Sequence, residues 1–405
     1  MLRRTFLTGS GLALGALTAC QTQLASTAAS PVSARGEIMD AQTLEDALVG
    51  SSILGTGGGG SLKAARELIA ADLAAGMAFR KLSVADLDDS DRVGCPYGLA
   101  SLAPLSDEMR ARLDGIENRV GNPTLASFRL LEKHMEQPFS AVILGEIGPL
   151  SMAEGLSIAA HLGIAALDAD TVGRAVPEIN QHSVRVAGVP LTPASGVTPF
   201  GDELILQGLQ DPSRQEDVFR TISVISREVG VTDSPMTGAT AKRDGVLVQN
   251  SLSLAIRLGR AAREAKQAGR DPIEAIRAEG DGFILFDGVI TEDSWADTDG
   301  FLVGDVVLSG RGDFEGQTLV LDYKNEHLVA KRNGKTIATC PDLISMIDKT
   351  TFEGVNNPDF KAGQVVSILG FKCDPIWRTE AGLEVFSPRY FGYDEDYIPI
   401  EERLA

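Results

Sequence analysis

The sequence predicts an α/β half followed by a β-rich half. Three observations carry that expectation. Ala141-Val142-Ile143-Leu144 is an unbroken apolar run that stops at Gly145, and a helical stretch over 151–162 separates it from a second apolar run at 164–167. Strand, helix, strand at this spacing reads as a parallel crossover whose strands are buried on both faces. From Gly282 onward the chain breaks into short β-rich runs at 283–290, 301–308, 318–323, 327–331, 336–339 and 365–369. Asn333-Gly334 lies between two of them, and these residues accept the left-handed backbone that a tight hairpin turn demands.

The elements before and between these runs follow from capping and periodicity. Thr43-Leu44-Glu45-Asp46 has the hydroxyl and acid of a helix start, and the helix should run to about Leu54. Gly55-Thr56-Gly57-Gly58-Gly59-Gly60 breaks it, Ser61 can cap a second helix over 62–75, and Gly76 closes that one. Short strands are expected at 81–84 and 92–95. Leu252, Ala255, Ile256, Gly259 and Ala262 share one face of a helix over 249–268, where small residues let another backbone come close. Gly269 ends it and Asp271-Pro272 starts another. The expected division is an N-terminal α/β domain over 38–200 and a C-terminal domain over 201–398, a helical linker followed by β structure.

The first residues read as an address. Residues 1–20 are MLRRTFLTGSGLALGALTAC, with Arg3 and Arg4 as a basic start and an apolar run too short to span a bilayer comfortably. Leu17-Thr18-Ala19-Cys20 resembles a bacterial lipobox, in which Cys20 takes the lipid, and Arg3-Arg4-Thr5-Phe6-Leu7 resembles a twin-arginine export signal. The expectation is an exported lipoprotein facing the periplasm or cell exterior, touching the membrane only through a lipid on Cys20. Residues 21–37 are rich in Ala, Ser, Thr and Gln and read as a flexible tether.

Composition narrows the function. The chain has 405 residues, 43% hydrophobic and 23% charged, the range of globular proteins. With 37 basic and 56 acidic residues its formal charge is -19, which argues against nucleic acid or an anionic membrane surface as partner. A small-molecule substrate is the expected partner, and a homo-oligomer is left open. Four cysteines are too few for a disulfide scaffold, and no C-x-x-C or paired Cys/His spacing speaks for a structural zinc site. Once Cys20 is set aside, Cys95, Cys340 and Cys373 cannot all pair, so at least one should be free.

Two stretches could carry chemistry. Gly57, Gly58, Gly59 and Gly60 form a loop whose bare N–H groups, with the N-terminus of the next helix, could hold an anionic or strongly polar ligand; a tight helix-to-helix turn is the plainer reading. The run lacks the Lys of a Walker loop and follows a helix rather than a strand, so it is neither a Walker nor a dinucleotide motif. Asp168, Asp170, Arg174 and Glu178 follow a buried strand, where open α/β sheets bind ligands. Glu146, just after the earlier strand, belongs at the same sheet edge. Glu146, Asp168 and Asp170 in one crevice could hold a divalent metal ion or raise one another's pKa for acid–base work. Asn325 and Glu326 are a weaker candidate pair, usually a turn. Cys95-Pro96 could present a thiol nucleophile, though a lone Cys is more often buried filler, and the four His read as structural.

Several of these segments together resemble the S-methyl thiohydantoin desulfurase family. They are Ile53 to Gly60, Glu146-Ile147-Gly148, Asp168 to Glu178, Tyr323-Lys324-Asn325-Glu326, Pro341-Asp342-Leu343-Ile344 and Pro388 to Tyr393, spread over roughly residues 38–395. The glycine run and Asp-Ala-Asp-x-x-Gly-Arg-Ala-x-Pro-Glu are the specific parts. The chain departs from the family pattern at Pro149-Leu150-Ser151 and over Cys95 to Ser101. The resemblance implies a hydrolase-like desulfurase that converts an S-methyl thiohydantoin and water to hydantoin and methanethiol. It implies Glu146 or Asp170 as base, the partner carboxyl as acid, and glycine-loop amides on the ring carbonyl. The alternative is a lipid-anchored protein that captures a small heterocycle without catalysis.

Overall fold

The structure is a computed structural model that describes residues 35–100, 106–298 and 300–405; Cys20, the leader and all of the tether before Arg35 lie outside the described residues. Two sheets organise it. The first contains β1 (Glu37–Ile38), β2 (Arg80–Leu82), β3 (Arg92–Ala100), β4 (Ala141–Leu144), β5 (Ala165–Asp170), β6 (Ala194–Val197), β7 (Glu203–Leu206), β8 (Glu228–Thr237) and β9 (Val248–Gln249). Their order is β1-β2-β5-β4-β3-β8-β6-β7, with β9 on β5. The neighbours β2, β5, β4 and β3 are parallel and the flanks antiparallel.

The expected crossover is present: β4, the Pro149–Leu162 helix and β5 follow one another, and β4 pairs parallel with β5. Every residue of both strands is buried, which is why they read as apolar runs rather than alternating ones. The register slips between Val142 and Leu144, so that Leu144 stands beside Asp170. The Ala41–Leu54 and Ser251–Gln267 helices cross at Gly50 and Gly259, where a Cβ would strike the backbone of Ala255 and of Asp46. The small-residue face expected from the sequence does bring two backbones together. The first helix starts at Ala41, earlier than the Thr43 signal, because the Asp40 side chain accepts the Thr43 N–H at 2.7 Å.

The second sheet holds β10 (Phe283–Thr298), β11 (Phe301–Gly310), β12 (Thr318–Lys324), β13 (Glu326–Arg332), β14 (Lys335–Thr339), β15 (Leu343–Asp348) and β16 (Val365–Phe371). It is antiparallel throughout, in the order β14-β13-β12-β11-β10-β16-β15. Its end strands β14 and β15 approach each other, so the sheet curls over a core of its own. The α/β half followed by a β-rich half is therefore the observed fold class. Residue 200 does not mark the edge of the first sheet, however. The stretch expected to be a helical linker supplies β8 and β9 to that sheet, because the long outer edge of β3 needs an antiparallel partner and β8 provides it.

Candidate active site

The glycine loop sits where the two sheets meet, and its neighbours explain each glycine. A Cβ on Gly58 would overlap the carboxyl of Glu326, one on Gly59 the backbone of Gly148, and one on Gly60 the side chain of Leu150. Gly57, Gly59 and Gly60 also have φ of 94, 74 and 81°, a left-handed backbone that other residues resist. The loop works largely through its carbonyls. Gly59 O accepts the Leu150 N–H at 2.9 Å and so caps the Pro149–Leu162 helix, and Gly57 O accepts the Asn357 N–H at 2.8 Å. The helix that follows the loop, Leu62–Ala74, is the one named in the sequence expectation, and its N-terminus is capped by Ser61, whose Oγ accepts the Ala64 N–H at 3.3 Å.

Around this junction three hollows share walls. The largest, about 520 Å³, lies between Gly59, Gly60, Glu146, Leu150, Ser151, Glu154, Val176, Arg220, Asn325 and Glu326. A smaller one of about 110 Å³ extends it past Glu146 and Ser151 to Tyr97, Thr171, Glu178 and His182. A third, about 270 Å³, is bounded by Gly57 to Ser61, Asn325, Glu326, Asn357 and Arg220. The first volume falls in the range of small-molecule sites, whereas the second alone would hold only a few waters.

The carboxyls here are the chemically informative groups. Glu146 is half-buried, just beyond β4; its Oε1 accepts the Ser151 hydroxyl at 2.7 Å and its Oε2 the Val176 N–H at 2.9 Å. Burial raises its pKa, opposed by those two donors and by the charge of Arg174. Glu326 opens β13 and is 3% exposed, with Oε2 lacking any partner. Burial, and then the negative charge of Glu146, hold its carboxyl well above the usual range. Glu154, one turn further along the helix from Ser151, is pushed up to about 7 by burial and by Glu228 and Glu146. Pro149-Leu150-Ser151 thus supplies the hydroxyl that holds Glu146.

Of the residues singled out from sequence, Glu146, Glu178, Asn325, Glu326 and Gly57 to Gly60 line these hollows. Glu178 is ion-paired with Lys324 and accepts the Tyr390 hydroxyl; these outweigh burial and keep its pKa low. Asn325 is occupied in holding strands, its Oδ1 accepting the Leu302 N–H at 2.8 Å. Asp168, Asp170 and Arg174 line none of the three. Asp168 accepts the Ser253 N–H at 2.8 Å and sits 3.6 Å from Lys81, which fixes the start of the Ser251–Gln267 helix. Asp170 is fully buried, with Oδ2 held by the N–H groups of Val172 and Gly173 at 3.0 and 2.7 Å. Arg174 is 1% exposed and donates to Thr56 Oγ1 at 2.7 Å and to the carbonyls of Ala175, His327, Pro341 and Asp342. It ties the glycine loop to the second sheet from behind and is not offered to a ligand. The three-carboxylate cation site expected from Glu146, Asp168 and Asp170 therefore does not assemble.

Sequence reasoning missed Arg220, which lines all three hollows from the Arg214–Ser226 helix. It pairs with Glu216 at 2.9 Å and lies over the Phe301 ring at 4.7 Å. The i,i+4 Glu-Arg spacing was visible in sequence, but such pairs are usually solvated surface contacts. His327, expected to be structural, is fully buried behind the glycine loop: its Nδ1 bonds the Ile344 carbonyl at 2.9 Å, and burial lowers its pKa to about 4.

The cleft between the mixed sheet and the curled antiparallel sheet is thus walled by glycines and by closely interacting glutamates. The comparisons agree on the family. One profile, described as the S-Me-THD-like N-terminal domain, matches residues 42–208, and its C-terminal counterpart matches 210–400. The chain belongs to the S-Me-THD-like family. A crystal structure of a protein from Chromobacterium violaceum is similar to it with a TM-score of 0.71 and 25% identity, covering 90% of this chain and 100% of that one. None of the curated proteins matches the chain.

Proposed function

We propose that the protein is a desulfurase of hydrolase type, converting a small cyclic S-methyl thiohydantoin, or a related ring, and water to the oxo ring and methanethiol. The observation that carries this reading is the pair Glu146 and Glu326, two carboxyls facing one cleft in environments that separate their proton affinities. Glu146, half-buried and holding two donors, is the ionised partner. Glu326, buried with one oxygen unpaired, is the protonated one.

In this reaction Glu146 takes a proton from water as its oxygen bonds to the sulfur-bearing ring carbon. Glu326 gives its proton to the adjacent ring nitrogen, turning C=N into C–NH. The tetrahedral carbon then collapses: its hydroxyl proton returns to Glu326, the C–S bond breaks, and the thiolate leaves with the proton held by Glu146. Both carboxyls are restored. Leu150, Val176 and Pro177 supply apolar wall for the ring, and Arg220 supplies the cation of the cleft.

Methanethiol release from S-methyl thiohydantoins is the test. Glu146→Gln and Glu326→Gln should each lower turnover about 10²–10⁴-fold. Because both carboxyls are raised, the acid limb of kcat/KM should lie above the ordinary glutamate range and the alkaline limb higher still. Saturable binding of these rings without turnover by the wild type would instead favour the capture protein. The leader is proposed to deliver the chain as a lipoprotein, and a membrane-attached, cleaved product from Cys20→Ala would refute that part.

A further inference from the structure

We propose that Cys95, His182 and Asp233 form a metal site that takes one borderline-soft divalent cation, of which Zn2+ fits the donors best. The three lie in the first sheet and the loop beside it, next to the hollow that reaches Glu146. Cys95 on β3 stands directly opposite Asp233 on β8, at a bulge that moves the following residue, Ser234, to φ 52°. His182 approaches from the segment after β5. One ligand atom from each residue can be chosen so that all lie within 4.8 Å of one another, and the residues are 0, 4 and 0% exposed.

The wiring of Asp233 leaves one of its oxygens available as a ligand. Its Oδ2 accepts the Tyr97 hydroxyl at 2.9 Å and the Gln215 amide at 2.6 Å. Its Oδ1 is buried, has no donor, and lies 3.7 Å from His182 Nε2. That gap is too long for a hydrogen bond. It is close to the roughly 3.3 Å between two ligands that each sit about 2 Å from a tetrahedral zinc. Among the described residues no lysine or arginine pairs with Asp233, and a fully buried carboxylate with neither cation nor donor on one oxygen is costly. Tyr97 and Gln215 stand where second-layer groups orient a ligating carboxylate.

Sulfur, imidazole nitrogen and carboxylate oxygen suit zinc better than calcium or magnesium. Three protein ligands leave a fourth position open, the pattern of sites that accept water or substrate. His182 and Tyr97 also line the 110 Å³ hollow that reaches Glu146, which gives the ion an entry path. The sequence showed no zinc spacing because the three ligands come from separate segments that only the fold joins.

The test uses the full-length protein, stripped with chelator and titrated with Co2+ alone, then with Zn2+ alone. Wild type should bind about one equivalent with a thiolate-to-cobalt absorption band, which Zn2+ abolishes. Cys95→Ser should lose the band, and the nearly isosteric Asp233→Asn should weaken binding at least about tenfold, with far-ultraviolet circular dichroism unchanged. A Cys340→Ser/Cys373→Ser double variant should keep the band. Absence of stoichiometric binding by wild type, unchanged affinity in Asp233→Asn, or a band lost with Cys340 and Cys373 instead of Cys95 would each overturn the proposal. Metal binding is read without turnover, so its failure is distinct from failure of the desulfurase reading.

Discussion

Replacing Asp170 by asparagine should stabilise the protein at neutral pH and leave turnover intact. Asp170 closes β5 with no exposed surface, and burial raises its carboxyl to about 7 despite two backbone donors. The unfolded chain titrates near the ordinary value of 3.8, so the native state binds an extra proton between about pH 4 and 7. For a raised pKa, the group's stabilisation is complete below the unfolded value and is lost as pH rises to the folded one. A shift of about three units corresponds to roughly 4 kcal/mol at most. An asparagine oxygen can keep both bonds from Val172 and Gly173 and has no proton to lose. Urea unfolding at pH 4, 6 and 8 should therefore show near-equal stabilities at pH 4 and an advantage for Asp170→Asn of about 2–4 kcal/mol at pH 8. Methanethiol release should stay within about threefold of wild type, since a group outside the cleft lacks the reach of an acid–base catalyst. Parallel pH–stability curves would show that Asp170 is ionised when folded, and a hundredfold loss of turnover would restore it as the base.

The glycine loop and its arginine give two more tests. Gly58→Ala places a methyl on the Glu326 carboxyl without a left-handed backbone to strain, so turnover should fall about ten- to a hundredfold for a stability loss of about 1–3 kcal/mol; unchanged kcat would remove Glu326 from the reaction. Arg174→Met strips donors from Thr56 Oγ1 and four carbonyls at once and should cost about 3–5 kcal/mol in denaturant unfolding; near-native stability would mean that Arg174 is not the clamp between loop and second sheet.

The sequence by itself determined the elements whose cause is local. Two strands buried on both faces announced themselves as apolar runs, Ser61 capped the helix it precedes, and Asn333-Gly334 turned the hairpin between β13 and β14. It also placed Glu146 and the glycine run near the cleft, since a strand's carboxyl end and a loss of Cβ atoms are both written in residue order. Tertiary structure alone decided what each carboxylate does. Asp168 and Asp170 are two residues apart on one strand, yet one caps a helix and the other folds back on its own turn, while Glu326, from the far end of the chain, faces Glu146. The partnership of Cys95 and Asp233 was equally hidden, because β8 looked like linker until β3 claimed it as a neighbour. Local structure follows from neighbours in sequence, but a carboxyl's proton affinity and a ligand set depend on burial and on charges contributed by remote segments, which only the packed chain brings together.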